Sequence, residues 1–490
     1  MVFRPSKKFF LGFLALLLAG LFASRHLRTW PVRLRYPGEQ ALIEGMRLAE
    51  MQHLRRGEAI YAPVSPEKFD AAIYGPLYYL LGAQLVDPQK PSYFPLRVVS
   101  VVGTLGCAAA CGLLAFWLSG SRLGAALAAL IFLSYGLVTT FGISARCDNL
   151  ALLFCFGGFL VAYRLQSSRT LLLAVPLMLV GLFYKQQFVA GPLAAVLFLL
   201  LERRYRRAGE FAVMLPLGGL GLLALFQFIA FPGQAFLHHF FVYNLLPFSW
   251  GGFVRGLWYC ALLALIQLLV GLEFLRAYPS KLLGCYLGCA LFLGLLTVAK
   301  VGSDANCFLE CILMLSALFA ALLARRIGEA PRAAELLILL GVALFFGQAF
   351  AQPAPAPKDF ARDRAVQDFL RHNFPPGTRA LGYYAGDLVR AGLESPISDF
   401  YQYGQLIRKG TLSDRELLAQ FAERRFGVIV MYFDLRAEEV SRRADCQLAA
   451  SLDLPGPEKF QDADRFYVWV PRPTDTGGRE GARNAREKRP

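Results

Sequence analysis

The sequence predicts an α-helical polytopic membrane protein, about eleven spans long at roughly 20 apolar residues each, closed by a small α/β domain. Three observations carry this. Of 490 residues 56% are hydrophobic and only 18% charged, with a mean hydropathy of +0.45, well outside the balance of an ordinary soluble domain. Apolar runs recur up to Phe350 with Arg and Lys collected between them. Beyond Phe350 the chain turns charged and alternating, the pattern of a water-facing domain.

The first run, Phe9 to Ala23, follows Arg4, Lys7 and Lys8 and reads as a signal peptide or an uncleaved anchor. The many later spans favour the anchor. Further runs centre on 94–117, 123–141, 149–163, 171–184, 188–201, 211–230, 255–275, 281–298, 306–324 and 334–350. Alternate loops are basic: Arg164 and Arg169, then Arg203, Arg204, Arg206 and Arg207, then Arg276 and Lys281, then Arg325, Arg326 and Arg332. Positive charge near helix ends stays in the cytoplasm, so these loops and the N-terminus are expected there, in the cytoplasmic (inner) membrane. The other loops, and the C-terminal part, then lie outside. Arg25, Arg28, Arg33 and Arg35 at the start of the first outer loop run against that rule.

The net charge of +16 follows from these clusters, so nucleic acid is not an expected partner; the bilayer is. Nine cysteines, Cys107 to Cys311, lie in or beside apolar runs, where a thiol behaves as a small hydrophobe, and Cys446 has no evident partner. No disulfide framework is expected.

Residues 1–351 are thus expected to form the membrane domain, with a first outer loop over 24–93. A Pro-rich linker, 352–358, leads to an α/β domain over 359–473, and 474–490 reads as a disordered basic tail. Asp363 to Asn373 has helical periodicity; Thr378–Tyr384, Phe426–Tyr432 and Phe466–Val470 read as strands. Ser413 and Glu416 form a capping box before a helix over Leu417–Arg425.

Polar residues set close to the membrane collect on the outer side. The first loop carries Glu39, Glu44 and Glu50 on a helical stretch, then Asp70 and Tyr74-Gly-Pro-Leu-Tyr78-Tyr79. A carboxylate held there can accept a proton from an acceptor hydroxyl or amine. The tyrosines read as interfacial anchors or as substrate contacts. The loop Ser144-Ala-Arg146-Cys-Asp148-Asn is too short for its charges to stray from the membrane surface; Asp148 reads as helix cap or as functional acid. Lys185 and Lys300 are cations on the face that orientation rules keep poor in them. Each suits a phosphate, Lys as a point charge and Arg146 as a fork, and snorkelling is the competing reading. His238 and His239 are adjacent and point apart, so no metal centre is expected. No phosphate-cradling Gly-rich fingerprint is present for a soluble nucleotide.

In their order, these motifs resemble the GT-C integral-membrane glycosyltransferases, in particular the bacterial branch of protein O-mannosyltransferases and lipid A aminoarabinose transferases. The resembling stretches are the acidic start of the first loop at Glu39, Tyr74–Tyr79, Ser144–Asn149, Tyr184-Lys-Gln-Gln-Phe188, Phe236–Asn244 with His239, and Lys300–Asn306 followed by Phe308 and Glu310. The resemblance implies transfer of a hexose or pentose, with inversion, from a polyprenyl-phosphate sugar to a glycan, lipid or protein acceptor on the outer face. It implies Glu39 as base, although the family has Asp or Asp-Glu where this chain has Gly38-Glu39, so Glu44 and Asp70 stand as substitutes. Asp148 is implied to orient its neighbours, Arg146, Lys185 and Lys300 to hold the donor phosphate, and Asp70, Tyr74, Tyr78, His239, Asp304 and Asn306 to line the substrate. No cofactor is implied beyond the lipid-linked donor, and metal use, which varies among GT-C enzymes, stays open. The rival classes are a transporter or flippase, which needs polar groups at midplane or on both faces, and a scaffold without activity.

Overall fold

The computed structural model describes residues 6–65, 68–166, 169–347, 353–413, 415, 419, 420, 423, 425–431, 446–453 and 465–472. The chain divides into two compact units, the first from Met1–Ala62 with Ala72–Ala356, the second from Pro63–Ala71 with Pro357–Pro490. Nine residues of the expected first loop therefore belong to the unit formed by the C-terminal part, an exchange that no sequence pattern foreshadows.

The first unit is helical throughout. It runs through α1 (Lys7–Leu27), α2 (Trp30–Arg35), α3 (Leu42–Arg55), α4 (Pro76–Leu85), α5 (Phe94–Ser119), α6 (Arg122–Leu133), α7 (Gly136–Ile143) and α8 (Asp148–Arg164). There follow α9 (Ala174–Tyr184), α10 (Ala190–Leu201), α11 (Tyr205–Ala224), α12 (Trp250–Tyr259), α13 (Leu265–Ala277), α14 (Lys281–Val298), α15 (Leu309–Glu329) and α16 (Pro331–Gly347).

Every expected apolar run has become helix, but the span count is lower than about eleven. Among the described residues five helices are long and apolar enough to cross a bilayer, or seven when each of two bent pairs counts as one. The difference is length: α8 has 17 residues, α9 11 and α10 12. The run over 123–141 is broken between α6 and α7 by a bend of 71°. At the break Ser134 Oγ donates to the Leu130 carbonyl at 2.6 Å, a local bond that competes with the helical ladder and bends it.

The core forms around α15, whose most apolar window is 94% buried, against 6% for the span that begins with α11. Leu217 and Leu220 of α11 point outward, as on a helix whose solvent is lipid. Helices α8 and α9 pack antiparallel through small residues: a Cβ on Gly181 would lie 2.3 Å from Cys155 Sγ, and one on Gly158 2.6 Å from Met178 Cγ. This close approach sets the start of α8 beside the end of α9.

The second unit opens with α17 (Pro357–Asn373), earlier than the expected boundary, because Pro is well suited to a first helical turn where no amide is needed. It continues with β1 (Ala380–Gly382), α18 (Ala385–Arg390), α19 (Phe400–Arg408), β2 (Val428–Met431), β3 (Cys446–Asp453) and β4 (Arg465–Pro471). The strands form one mixed sheet in the order β1-β2-β4-β3, with β1 and β2 parallel and the other pairs antiparallel. The fully buried Val-Ile-Val-Met of β2 is the continuous apolar run of an interior strand. Val366, Leu370, Leu388, Val428, Val430 and Val468 form its core. Phe69 joins this unit beside Ile397: its amide donates to the Pro396 carbonyl at 2.7 Å, and its carbonyl accepts from Ser398 at 3.0 Å. β3 was not foreseen. The expected helix Leu417–Arg425 with its capping box, and the tail 474–490, lie in the main outside the described residues.

Candidate active site

The polar residues of the first unit gather where helices begin and end. Asp148 is the first residue of α8 and Lys185 caps the C-terminal end of α9. A carboxylate at a helix N-terminus and a cation at a C-terminus each oppose the local helix dipole, so both charges are favoured where the α8–α9 pairing sets them. Lys185 Nζ donates to Asp148 Oδ1 at 2.6 Å, Arg146 Nε to Oδ2 at 3.0 Å, and Asn306 Nδ2 to Oδ1 at 2.5 Å. Asp148 is wholly buried, with one charge compensated from two sides. Burial opposes the charges on Arg146 and Lys185, but the Asp148 carboxylate outweighs it and holds both side chains above their ordinary ranges.

Lys300 stands on a second support. Its Nζ donates to Asn244 Oδ1 at 2.9 Å and to the Asn244 carbonyl at 3.2 Å. Burial lowers its pKa, and the positive charge of Lys185 lowers it further, which makes the two ammonium groups electrostatic neighbours. Asn306 and Gln187 tie the loops together, with Gln187 Nε2 donating to the Asn306 carbonyl at 3.3 Å. Lys185, only 6% exposed, does not reach into water as a snorkelling side chain would, whereas Lys300 is partly exposed.

A second network fixes the acidic start of the first loop. Glu44 is fully buried and bidentate with Arg97, Nε to Oε1 at 2.9 Å and Nη2 to Oε2 at 2.7 Å. The same carboxylate accepts from the Gln40 amide and the Ala145 amide, both at 2.6 Å. In the third position of α3 it reaches back over the helix start as a capping glutamate does. Arg97 also donates to the carbonyls of Gly38 at 2.6 Å, Arg33 at 3.1 Å and Tyr36. Glu44 is thereby held by one side chain and two backbone amides. Glu39 itself is buried, held between Gly38 and Gln40, whose backbones are both anchored.

The remaining expected residues divide. Asn306 joins Asp148, and the Tyr74 ring faces Lys185, whose Nζ lies 5.0 Å from its centroid. Asp304 caps the short 3-10 turn Ala305–Phe308, its Oδ1 accepting from the Ala305 amide at 2.6 Å. His239 Nε2–H donates to the Ala62 carbonyl at 2.8 Å. Tyr78 is fully buried against Tyr74 and Tyr79, so none of these three rings is an interfacial anchor. Asp70 is buried on the segment described with the second unit, where Asp399 caps α19, Tyr403 is buried and Tyr401 exposed. Among the described residues no group of three or more His, Cys, Asp or Glu is arranged to hold a metal ion.

Sequence reasoning missed Arg97 and Arg47, and it named Glu50 and Asn244 without giving either a part in the site. For Arg97 a signal existed: a charge in the first turn of the apolar run from Phe94 is costly there unless paired or functional. Nothing comparable marks Asn244.

No protein-family model matches the chain, and no curated protein does. Solved structures do. ArnT from Cupriavidus metallidurans in the apo state is 11% identical, with 93% of this chain and 98% of that chain covered at a TM-score of 0.59. The same protein bound to undecaprenyl phosphate is 12% identical, with 93% and 99% covered, at 0.57. An oligosaccharyltransferase from Archaeoglobus fulgidus, in complex with Zn and sulfate, is 12% identical, with 85% of this chain and 67% of that chain covered, at 0.50. These neighbours share the GT-C fold, and this chain has it too: a multi-pass helical membrane protein with a small sheet near its C-terminus.

Proposed function

We propose that this GT-C protein is a membrane glycosyltransferase that moves a sugar from a polyprenyl-phosphate donor to an acceptor on the outer face of the cytoplasmic membrane, inverting the anomeric carbon. The observation that carries the reading is the assembly of Arg146 and Lys185 on one buried carboxylate, with Lys300 as an electrostatic neighbour of Lys185. Arg146 and Lys185 share the single Asp148 carboxylate and Lys300 adds a further cation, which leaves a positive excess among apolar helices, and a lipid phosphate is an anion that arrives through such surroundings. In that site they neutralise the charge that develops on the phosphate as the sugar leaves, and preorganised cations away from bulk water do this most strongly. The structure of ArnT bound to undecaprenyl phosphate lends support through the shared fold.

Glu39 is the base in this reading. Glu44 is spent on Arg97 and two amides, and Asp148 is spent on its two cations, so neither is free to take a proton. Asp148 organises the cations. The basic loops supply the orientation, with the N-terminus cytoplasmic and the second unit outside.

The test is transfer from a panel of radiolabelled polyprenyl-phosphate sugars in membranes holding the wild-type protein or Glu39→Gln at equal abundance. Transfer by the wild type that the variant loses supports both enzyme and base. Equal transfer by both moves the base elsewhere, and no transfer from any donor sinks the reading in favour of transport, which a flux assay then measures.

A further inference from the structure

The turn Ala72-Ile73-Tyr74-Gly75 touches Lys185 itself and the asparagine that holds Lys300. Its first residue sits at φ +39°, a left-handed conformation that a non-glycine residue rarely adopts. Ala72 is held there by a buried carboxylate, its amide donating to Glu50 Oε1 at 2.9 Å. Glu50 is in turn fixed by Arg47, 2.6 Å away and one helical turn back on α3, with both side chains fully buried. At the far end of the turn the Gly75 amide donates to the Tyr184 carbonyl at 3.1 Å. A Cβ on Gly75 would lie 1.8 Å from the Phe183 carbonyl oxygen, so only glycine lets the turn press against the residues that precede Lys185.

Between these fixed ends stand two further contacts. The Tyr74 ring lies between two cations, the Arg47 guanidinium carbon at 5.0 Å from its centroid and Lys185 Nζ also at 5.0 Å. The Tyr74 amide donates to Tyr79 Oη at 3.3 Å, and Arg47 donates to the same hydroxyl. The Ile73 carbonyl accepts from Gln186 Nε2 at 3.3 Å and from Asn244 Nδ2 at 3.4 Å, and Asn244 is the residue that holds Lys300. One four-residue turn thus reaches Lys185 through a ring and Lys300 through a carbonyl and an amide.

We propose that this turn, with Tyr74 at its centre, is the positioning element of the donor-phosphate site: Tyr74 sets the Lys185 ammonium between its ring and Asp148, and Ile73 sets Lys300 through Asn244. The inference rests on the reading of Lys185 and Lys300 as phosphate ligands and assigns their geometry to residues with no part in the chemistry. Tyr74 is a positioning residue. Its ring face is attractive to an ammonium, and in a desolvated place that attraction is among the stronger non-bonded contacts a ring can make. Arg47, also 5.0 Å from the centroid, is a second charge that keeps the ring from turning, and the Glu50-locked Ala72 turn keeps it from sliding.

The experiment compares the wild type, Tyr74→Phe, Tyr74→Leu and an isosteric replacement of Tyr74 by trifluorophenylalanine, which keeps the ring's shape and removes the negative charge of its face. Two readouts are taken in lipid nanodiscs. The first needs no donor: the pH profile of Lys185 acetylation, followed by mass spectrometry. Asp148 and Arg146 are the same in every variant, so a change in the profile reports the ring face that lies 5.0 Å from Lys185 Nζ. Lys185 is expected to titrate at lower pH in the fluorinated and Leu proteins and to keep its wild-type profile in Tyr74→Phe. The second readout is the Kd for polyprenyl phosphate, expected to rise about tenfold in the fluorinated and Leu proteins, the size of a well-desolvated cation–π contact, and to stay within about twofold of wild type in Tyr74→Phe.

An unchanged acetylation profile in the fluorinated protein overturns the proposal, whatever happens to folding in Tyr74→Leu. A shifted profile with no polyprenyl-phosphate binding in any protein, wild type included, keeps the positioning of Lys185 and overturns the donor reading on which it rests.

Discussion

Lys185 Nζ and Asp148 Oδ1 lie 2.6 Å apart, the C-cap of one helix paired with the first residue of the helix it packs against. Neither charge is affordable alone at that depth. A buried ion is tolerated when a partner and additional hydrogen bonds compensate it, and Asp148 has Lys185, Arg146 and Asn306.

Removing one partner is therefore more damaging than removing both. Asp148→Asn is expected to lower stability by about 3–5 kcal/mol, the cost of leaving buried cations uncompensated. Lys185→Met added to Asp148→Asn is expected to cost less than the sum of the two single changes. Thermal unfolding in detergent around this double-mutant cycle decides it, and strict additivity contradicts the coupling.

Glu39 and Glu44 separate by what they do. Glu39→Gln is expected to lower kcat by on the order of a hundredfold or more, the usual weight of a positioned general base, with the unfolding temperature unchanged. Glu44→Gln is expected to lower the unfolding temperature, since Arg97 then lacks its counter-charge. Parallel transfer and melting measurements on both variants distinguish the roles.

Arg97 serves Glu44 and three backbone carbonyls with a planar fork, which an ammonium cannot reproduce. Arg97→Lys is expected to destabilise the first unit by about 3 kcal/mol or more, as for a broken buried pair. It also frees the backbone on both sides of Glu39, so a fall in transfer accompanies the fall in melting temperature; native-like melting in Arg97→Lys contradicts this account.

Lys300 gives the site an alkaline limit. Burial and the Lys185 charge hold its pKa below the ordinary 10.5. A lysine binds phosphate in its protonated form, so affinity is full below that lowered value and is lost as pH rises through it. The affinity for polyprenyl phosphate is expected to begin falling before an exposed lysine would lose its proton, and Lys300→Arg, whose charge persists, to shift the fall to higher pH. Identical pH profiles for the two proteins would remove Lys300 from the phosphate site.

Gly181 tests the packing beneath all of this. Gly181→Val drives a side chain into Cys155 Sγ and the Ala151 carbonyl. It is expected to cost about 1–3 kcal/mol through overpacking and to weaken the Asp148–Lys185 pair from a distance, seen as an altered Lys185 acetylation profile.

Much of this was legible in the sequence because membrane helices announce themselves through composition. The runs, their order and the cations at their ends could be read directly, and the short loops kept Arg146, Asp148, Lys185, Lys300 and Asn306 near one level. What stayed hidden was pairing across long separations. Nothing in Glu44 or Arg97 alone says that each is the other's counter-ion 53 residues away, and nothing in Asn244 says that it holds Lys300. The sum of apolar runs overstated the number of crossings, because an apolar stretch of 11 or 12 residues becomes a short helix inside a protein bundle as readily as part of a span. The tyrosines at 74, 78 and 79 looked interfacial because composition cannot tell a ring facing headgroups from one facing a buried arginine.

The second unit takes one of its pieces from Pro63–Ala71 and the rest from beyond Pro357. During synthesis the amide of Phe69 emerges long before Pro396 and Ser398, the residues that complete its hydrogen bonds. The helices α4 to α16 are all made before those partners exist. The second unit therefore cannot be completed until the chain beyond Pro357 has been made, and a chain that stops short of Pro396 and Ser398 leaves Phe69 without its backbone partners.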